Sequence, residues 1–156
     1  MAQAQIVSVN ISDKKGVRKT PIPEGRLEPE VGLVEDAHSG TWHRMLSLLA
    51  LESIETMRAQ GLTVNPGDFA ENVTTQGLIL HTLPVGSRIR LGEVEVEVTQ
   101  IGKECHTGCA IRKLTGDCVM PREGIFARVL NPGVVRPGDP VRLLSRGPSG
   151  PAGAEA

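Results

Sequence analysis

The sequence predicts a mainly β fold, a closed or nearly closed β-barrel with a few short helices, and three observations carry that expectation. Short apolar stretches recur at close spacing between turns rich in Gly, Pro, Asn and Asp. One of them alternates strictly, with Val94, Val96 and Val98 set against Glu95, Glu97 and Thr99, the period-2 pattern of a strand with one buried face. Only Leu51 to Gln60 has convincing helical periodicity, which argues against alternating βαβ units.

A chain of 156 residues suits one domain and buries roughly two-thirds of the surface its unfolded form exposes, without metal or disulfide staples. We expect a barrel domain over residues 1–144 and a disordered Gly/Pro/Ala-rich tail over 145–156. Only 2% of residues are aromatic and tyrosine is absent, which disfavours modules that stack nucleic-acid bases. The net charge of -1 offers no basic excess to follow a phosphate backbone. No basic start leads into an apolar run, and no run approaches the roughly 20 residues that span a bilayer. A cytoplasmic protein with no nucleic-acid or membrane partner is expected.

In chain order, Gln5 to Ser12 alternates as a half-buried strand. Asp13-Lys14-Lys15-Gly16 turns the chain. Pro21, Pro23 and Pro29 exclude a helix from Arg18 to Glu30, leaving an extended loop with edge pairing near Val17 to Ile22. Val31 to Val34 reads as a short strand that delivers Glu35-Asp36-Ala37-His38-Ser39-Gly40 into a turn, and Arg44 to Leu49 as a buried strand. On the helix Leu51, Ile54 and Met57 form the core face, with Gly61 in the capping position. Asn65-Pro66-Gly67-Asp68 signals a turn, followed by a polar stretch from Phe69 to Thr75 without useful periodicity, in which Asp68, Asn72 and Thr74 suit capping and turn chemistry. Leu78 to Leu83 is an apolar run ended by Pro84. Ser87 to Leu91 and the Val94 strand form a hairpin across Gly92-Glu93. Ala110 to Leu114 suits a helical turn, Ile125 to Leu130 a strand, and Val141 to Leu144 the last strand.

The Val94 strand runs into Gln100-Ile101-Gly102-Lys103-Glu104-Cys105-His106-Thr107-Gly108-Cys109, which gathers two of the three cysteines. An odd count with two thiols four positions apart disfavours a disulfide framework. A reactive or metal-binding cysteine needs its thiolate, and Lys103 and His106 flank Cys105 with groups that lower a thiol pKa. Three chemistries stay open: zinc held by Cys105, His106, Cys109 and Cys118, which lacks a Cys-x-x-Cys pair; a nucleophilic cysteine with His38 or His106 as base; or a thiolate on a softer metal.

Thr20-Pro21-Ile22, Glu35 to Gly40 with Arg44, Pro66 to Thr74, and Val98-Thr99-Gln100 leading to Cys105 together resemble the MOSC domain, named for the C-terminal part of molybdenum cofactor sulfurase. The likeness covers nearly all of residues 5–144, and Gly102 to Ile111 with Cys118 to Ala127 resembles its small stand-alone bacterial type. The resemblance implies a barrel that handles molybdenum cofactor (molybdopterin) through a cysteine that ligates molybdenum or carries activated sulfur. Counting without gaps from Val98-Thr99-Gln100 puts that cysteine at Cys105, with Cys109 the other candidate. It further implies catalytic roles for Cys105, Cys109, His38 and Arg44, and cofactor binding by His38, Arg44, Glu71, Asn72, Thr74, Lys103 and His106. The implied function is a molybdenum-dependent reductase of N-hydroxylated substrates or a sulfur carrier, acting on a small-molecule or pterin ligand with redox or cofactor-biosynthesis partner proteins. A non-catalytic accessory module of cofactor biosynthesis, or a structural zinc site, is the alternative. Nothing resembles the lysine and phosphate site of pyridoxal phosphate.

Overall fold

The computed structural model describes residues 4–13, 18–36, 39–40, 45–102 and 123–147. In chain order the elements are β1 (Gln5–Ile11), β2 (Thr20–Ile22), β3 (Gly25–Glu28), β4 (Gly32–Leu33), β5 (Leu46–Ala50), α1 (Leu51–Ala59), β6 (Val73–Gln76), a 3-10 turn (Leu80–Thr82), β7 (Arg88–Leu91), β8 (Val94–Ile101), β9 (Ile125–Val129), β10 (Gly133–Val135) and β11 (Val141–Ser145). Eight strands make one sheet in the order β11-β7-β8-β9-β5-β6-β1-β2, and β10-β3-β4 make a second.

The large sheet curls until its ends meet. Ile6 N donates to the Asp139 carbonyl at 2.8 Å, Gly138 N to the Ile6 carbonyl at 2.7 Å, and Val141 N to the Ala4 carbonyl at 2.9 Å. The start of β1 thus meets the approach to β11, and backbone groups that would otherwise form open edges are paired. The expected nearly closed barrel is present. β5 and β6 run parallel, and α1 provides part of the crossover that a parallel pair requires.

Side-chain alternation fills the barrel. Val94, Val96 and Val98 are buried against Ile89, Leu91, Leu46 and Leu48 in the main core. Glu95 and Glu97 face outward, where they meet Arg88 at 3.3 Å and Arg128 at 2.6 Å. A one-residue slip would have buried both carboxylates. β5 is buried on both faces, because Leu49 belongs to a second cluster with Ile54, Met57, Val64, Phe69 and Phe126 under α1. Gly61 ends the helix at φ +96°, with its N–H on the Arg58 carbonyl at 2.9 Å.

Several expectations need correction. The stretch Phe69 to Thr75 contains β6, which pairs with β1 and β5; polar residues on both faces hid it, since its outer face is buried by other polar groups. The expected loop from 18 to 30 contains β3, which pairs with β10 and β4. Within the apolar run Leu78 to Leu83, for which no element was expected, Leu80–Thr82 forms the 3-10 turn. β11 runs to Ser145, and Gly147 N donates to the Ser87 hydroxyl at 2.8 Å. Residues 148–156 lie outside the described residues, as do the expected helical turn at 110–114 and most of the expected turn at 13–16.

Candidate functional site

The buried polar groups concentrate where the 65–72 segment covers the outer face of β1, β5 and β6. Asn65 to Asp68 folds as the expected turn, with Asp68 N on the Asn65 carbonyl at 3.0 Å and the Asp68 carboxylate accepting from Asn65 N at 2.9 Å. Gly67 has φ +91°, and a Cβ there would lie 2.4 Å from the Lys19 carbonyl oxygen. Only glycine supplies both the left-handed backbone and the close approach. Ala70, buried at φ +67°, accepts a left-handed conformation that costs a non-glycine residue about 1–2 kcal/mol. This bend directs Glu71 back beneath the turn.

Glu71 Oε2 accepts from Gly67 N at 3.0 Å and from the Thr74 hydroxyl at 2.6 Å. Asn10 Nδ2 donates to the Glu71 carbonyl at 3.1 Å and to Thr74 Oγ1 at 3.2 Å, while Ser8 donates to Asn10 Oδ1 at 2.6 Å. Asn72 Oδ1 accepts from Ser47 N at 3.0 Å and Ser47 Oγ at 3.1 Å. In return Asn72 N donates to the Ser47 carbonyl at 3.0 Å. The network ties three strands to one loop, and each buried partner satisfies another.

Among the described residues three buried side-chain atoms lack a partner, Glu71 Oε1, Thr75 Oγ1 and His81 Nδ1, and the first belongs to this network. Desolvation raises the Glu71 pKa from 4.5 to about 7 against the lowering effect of the Gly67 and Thr74 hydrogen bonds, because burial penalises the charged form. The carboxyl is therefore neutral over most of the acidic range. Beside it, Lys19 N donates to the Gly67 carbonyl at 2.8 Å. Lys19 Nζ reaches Asp36 Oδ1 at 2.8 Å and the Ser12 hydroxyl at 3.0 Å. Both side chains of this ion pair are fully buried.

Of the predicted site residues, the structure brings Glu71, Asn72 and Thr74 together, all at 0% exposure. His38, Arg44, Lys103, Cys105, His106 and Cys109 lie outside the described residues, as do His43 and Cys118. Sequence reasoning missed Lys19, Asp36, Asn10 and Ser47. Asn10 carried a signal, since asparagine is depleted within strands and here lies within β1, one residue before its end. Among the described residues no three His, Cys, Asp or Glu side chains converge as a metal site, and no helix is long and apolar enough to cross a membrane.

The curled sheet with its bridged ends, the helical crossover between β5 and β6, and the polar layer on the barrel wall define a small β-barrel domain protein. Residues 35–142 match the MOSC domain, and the chain belongs to that family. Its fold is similar to that of the YuaD protein from Bacillus subtilis, at 20% identity and a TM-score of 0.75, covering 90% of this chain and 94% of that one. It is also similar to YiiM from Escherichia coli, at 23% identity and a TM-score of 0.67 over 95% and 72% of the two chains. YiiM from Geobacillus stearothermophilus shares 22% identity with a TM-score of 0.65 over 90% and 75%. At these identities the likeness is one of fold. No curated protein matches the sequence.

Proposed function

We propose that this protein handles molybdenum cofactor through the thiolate of Cys105, either as a sulfur carrier or as a molybdenum-dependent reductase of N-hydroxylated substrates. Membership of the MOSC family across residues 35–142, a span that includes Cys105, is the observation that carries this reading. A second observation supports it. Gly102 N donates to the Gly124 carbonyl at 2.6 Å, beside the Ile101–Ile125 rung of the β8–β9 ladder, so the described chain before 103 and after 122 is held on one ladder. A segment anchored at both ends to a rigid ladder is a suitable place for reacting side chains.

The anionic groups of a pterin cofactor call for cationic donors, and His38, Arg44, Lys103 and His106 are the donors assigned here. Among the described residues around them, Gly40 N donates to the Val31 carbonyl at 2.8 Å, and Gly32 packs against the Met45 backbone. Burial raises the Glu71 pKa to about 7, which lowers the negative charge that the wall would oppose to an anionic ligand. Glu71, Asn72 and Thr74 act in this reading as positioning residues that hold the wall. When bound, the cofactor supplies a molybdenum centre that a soft thiolate can ligate. Lys103 and His106, its neighbours in sequence, are the cations that would favour the Cys105 thiolate, with Cys109 the alternative thiolate. Cytoplasmic partner proteins would deliver the cofactor or electrons.

The test is metal analysis and a sulfur-transfer assay on protein from a molybdate-fed host. Cys105→Ser replaces a thiolate by a hydroxyl that stays protonated near neutral pH, so molybdenum retention or sulfur transfer collapses while the fold survives. Cys109→Ser and Cys118→Ser do much less. Loss on Cys109→Ser alone moves the role to Cys109. Release of one zinc per chain by all three substitutions overturns the proposal in favour of a structural site.

A further inference from the structure

On the outer face of the β11-β7-β8-β9 sheet the cross-strand register sets charged residues in two rows. One row is Arg142, Arg90 and Glu95, and the other is Arg88, Glu97 and Arg128. Directly opposite residues of like charge destabilise a sheet, so each arginine should find a carboxylate. Arg128 does, on Glu97 at 2.6 Å. Arg88 reaches diagonally to Glu95 at 3.3 Å and so occupies the carboxylate that stands opposite Arg90. Arg90 and Arg142 face each other, and neither has an ion pair within the described residues.

A cleft of about 190 Å³ is lined by Arg90, Gly92, Pro140 and Arg142. No carboxylate lines it. Asp139 packs against Gly92 beside it, and its Oδ2 accepts from Arg136 N at 2.9 Å. Arg90 also borders a larger cleft of about 480 Å³ with Arg88, Glu93, Glu95, Leu130 and Asn131. There carboxylates and an amide take the place of the unpaired positive charge. We propose that Arg90 and Arg142 form a binding site for a dianionic phosphate group, with the larger cleft receiving the polar body of a phosphorylated small molecule. Two planar guanidinium groups on facing strands suit the oxygens of one phosphate, and the anion relieves the repulsion that the register imposes.

Titration of the full chain with inorganic phosphate and with ribose 5-phosphate, followed by NMR at the arginine Nε–H and Gly92 amide signals, tests this site. Saturable shifts at Arg90, Arg142 and Gly92 are expected, weakening as sodium chloride is added. Arg90→Gln and Arg142→Gln each lower affinity by about tenfold or more, the loss of a charge-assisted hydrogen bond, and Arg142→Lys falls between. Tighter binding of the ester assigns the site to phosphorylated small molecules, and equal affinity assigns it to free phosphate. Phosphate also raises the melting temperature of the wild type, but not of Arg142→Gln, above that in chloride of equal ionic strength. Unsaturable shifts, or shifts unchanged by both glutamine variants, overturn the proposal.

Discussion

The β7–β8 hairpin and the 65–76 segment build two parts of the same barrel wall by opposite means. The hairpin separates its chemistry by face, with Ile89, Leu91, Val94 and Val96 inside and arginines and glutamates in water. The 65–76 segment buries polar side chains as well as apolar ones: Val73 enters the core while Glu71, Asn72 and Thr74 are sealed under the loop. A polar group left in water costs little to change. A buried one leaves its partner unsatisfied when it is removed, at about 1–3 kcal/mol for neutral groups and more for charges. The polar wall is therefore more sensitive to small substitutions than the outer face of the hairpin, although its interactions resemble those on that face.

Breaking the buried ion pair should give the largest effect. Asp36→Ala leaves the Lys19 ammonium sealed without its carboxylate, a change that costs about 3–5 kcal/mol. Denaturant unfolding is expected to show this loss, and Lys19→Met added to Asp36→Ala should recover part of it by removing the stranded charge. A double variant no more stable than the single one would mean that the pair does not govern this region.

The pH response of Glu71 is expected next. The folded carboxyl keeps its proton up to about pH 7, whereas the unfolded one loses it near 4.5. Between those values the folded state binds the extra proton, so its stabilising contribution is complete below pH 4.5 and is lost as pH rises towards 7. The decline is on the order of 3 kcal/mol. Glu71→Gln should flatten that slope in unfolding curves taken from pH 4.5 to 7.5, and an unchanged slope would place the titration elsewhere.

The hairpin supplies the smallest effect. Arg128→Ala removes an ion pair in which the arginine side chain is 53% exposed, and such pairs contribute about 0.2–1 kcal/mol. The melting temperature should move little and less still in high salt. A loss as large as that of Asp36→Ala would erase the contrast between the two regions.

Legibility followed the same division. Val94, Val96 and Val98 alternate with charged residues, and that pattern alone set the strand, its inward face and its hairpin partner. Gly61 marked the helix end because its left-handed backbone is a local requirement. β6 escaped notice since Asn72 and Thr74 read as capping and turn residues, and no local pattern distinguishes a turn threonine from one held in a strand by Asn10 and Glu71. β3 escaped for a related reason, as Gly25–Glu28 is too short and too polar to declare itself without β10 and β4 beside it.

By itself the sequence determined the mainly β class, the core faces of the regular strands, the helix and its stop, and the likeness to the MOSC family, all of which depend on neighbours along the chain. Tertiary structure alone decided the seam between residues 4–6 and 138–141, the sealing of Lys19 on Asp36, the raised pKa of Glu71 and the meeting of Arg90 with Arg142. Each of these depends on the distance between residues far apart in sequence and on the water excluded between them, quantities that exist only once the sheet has curled.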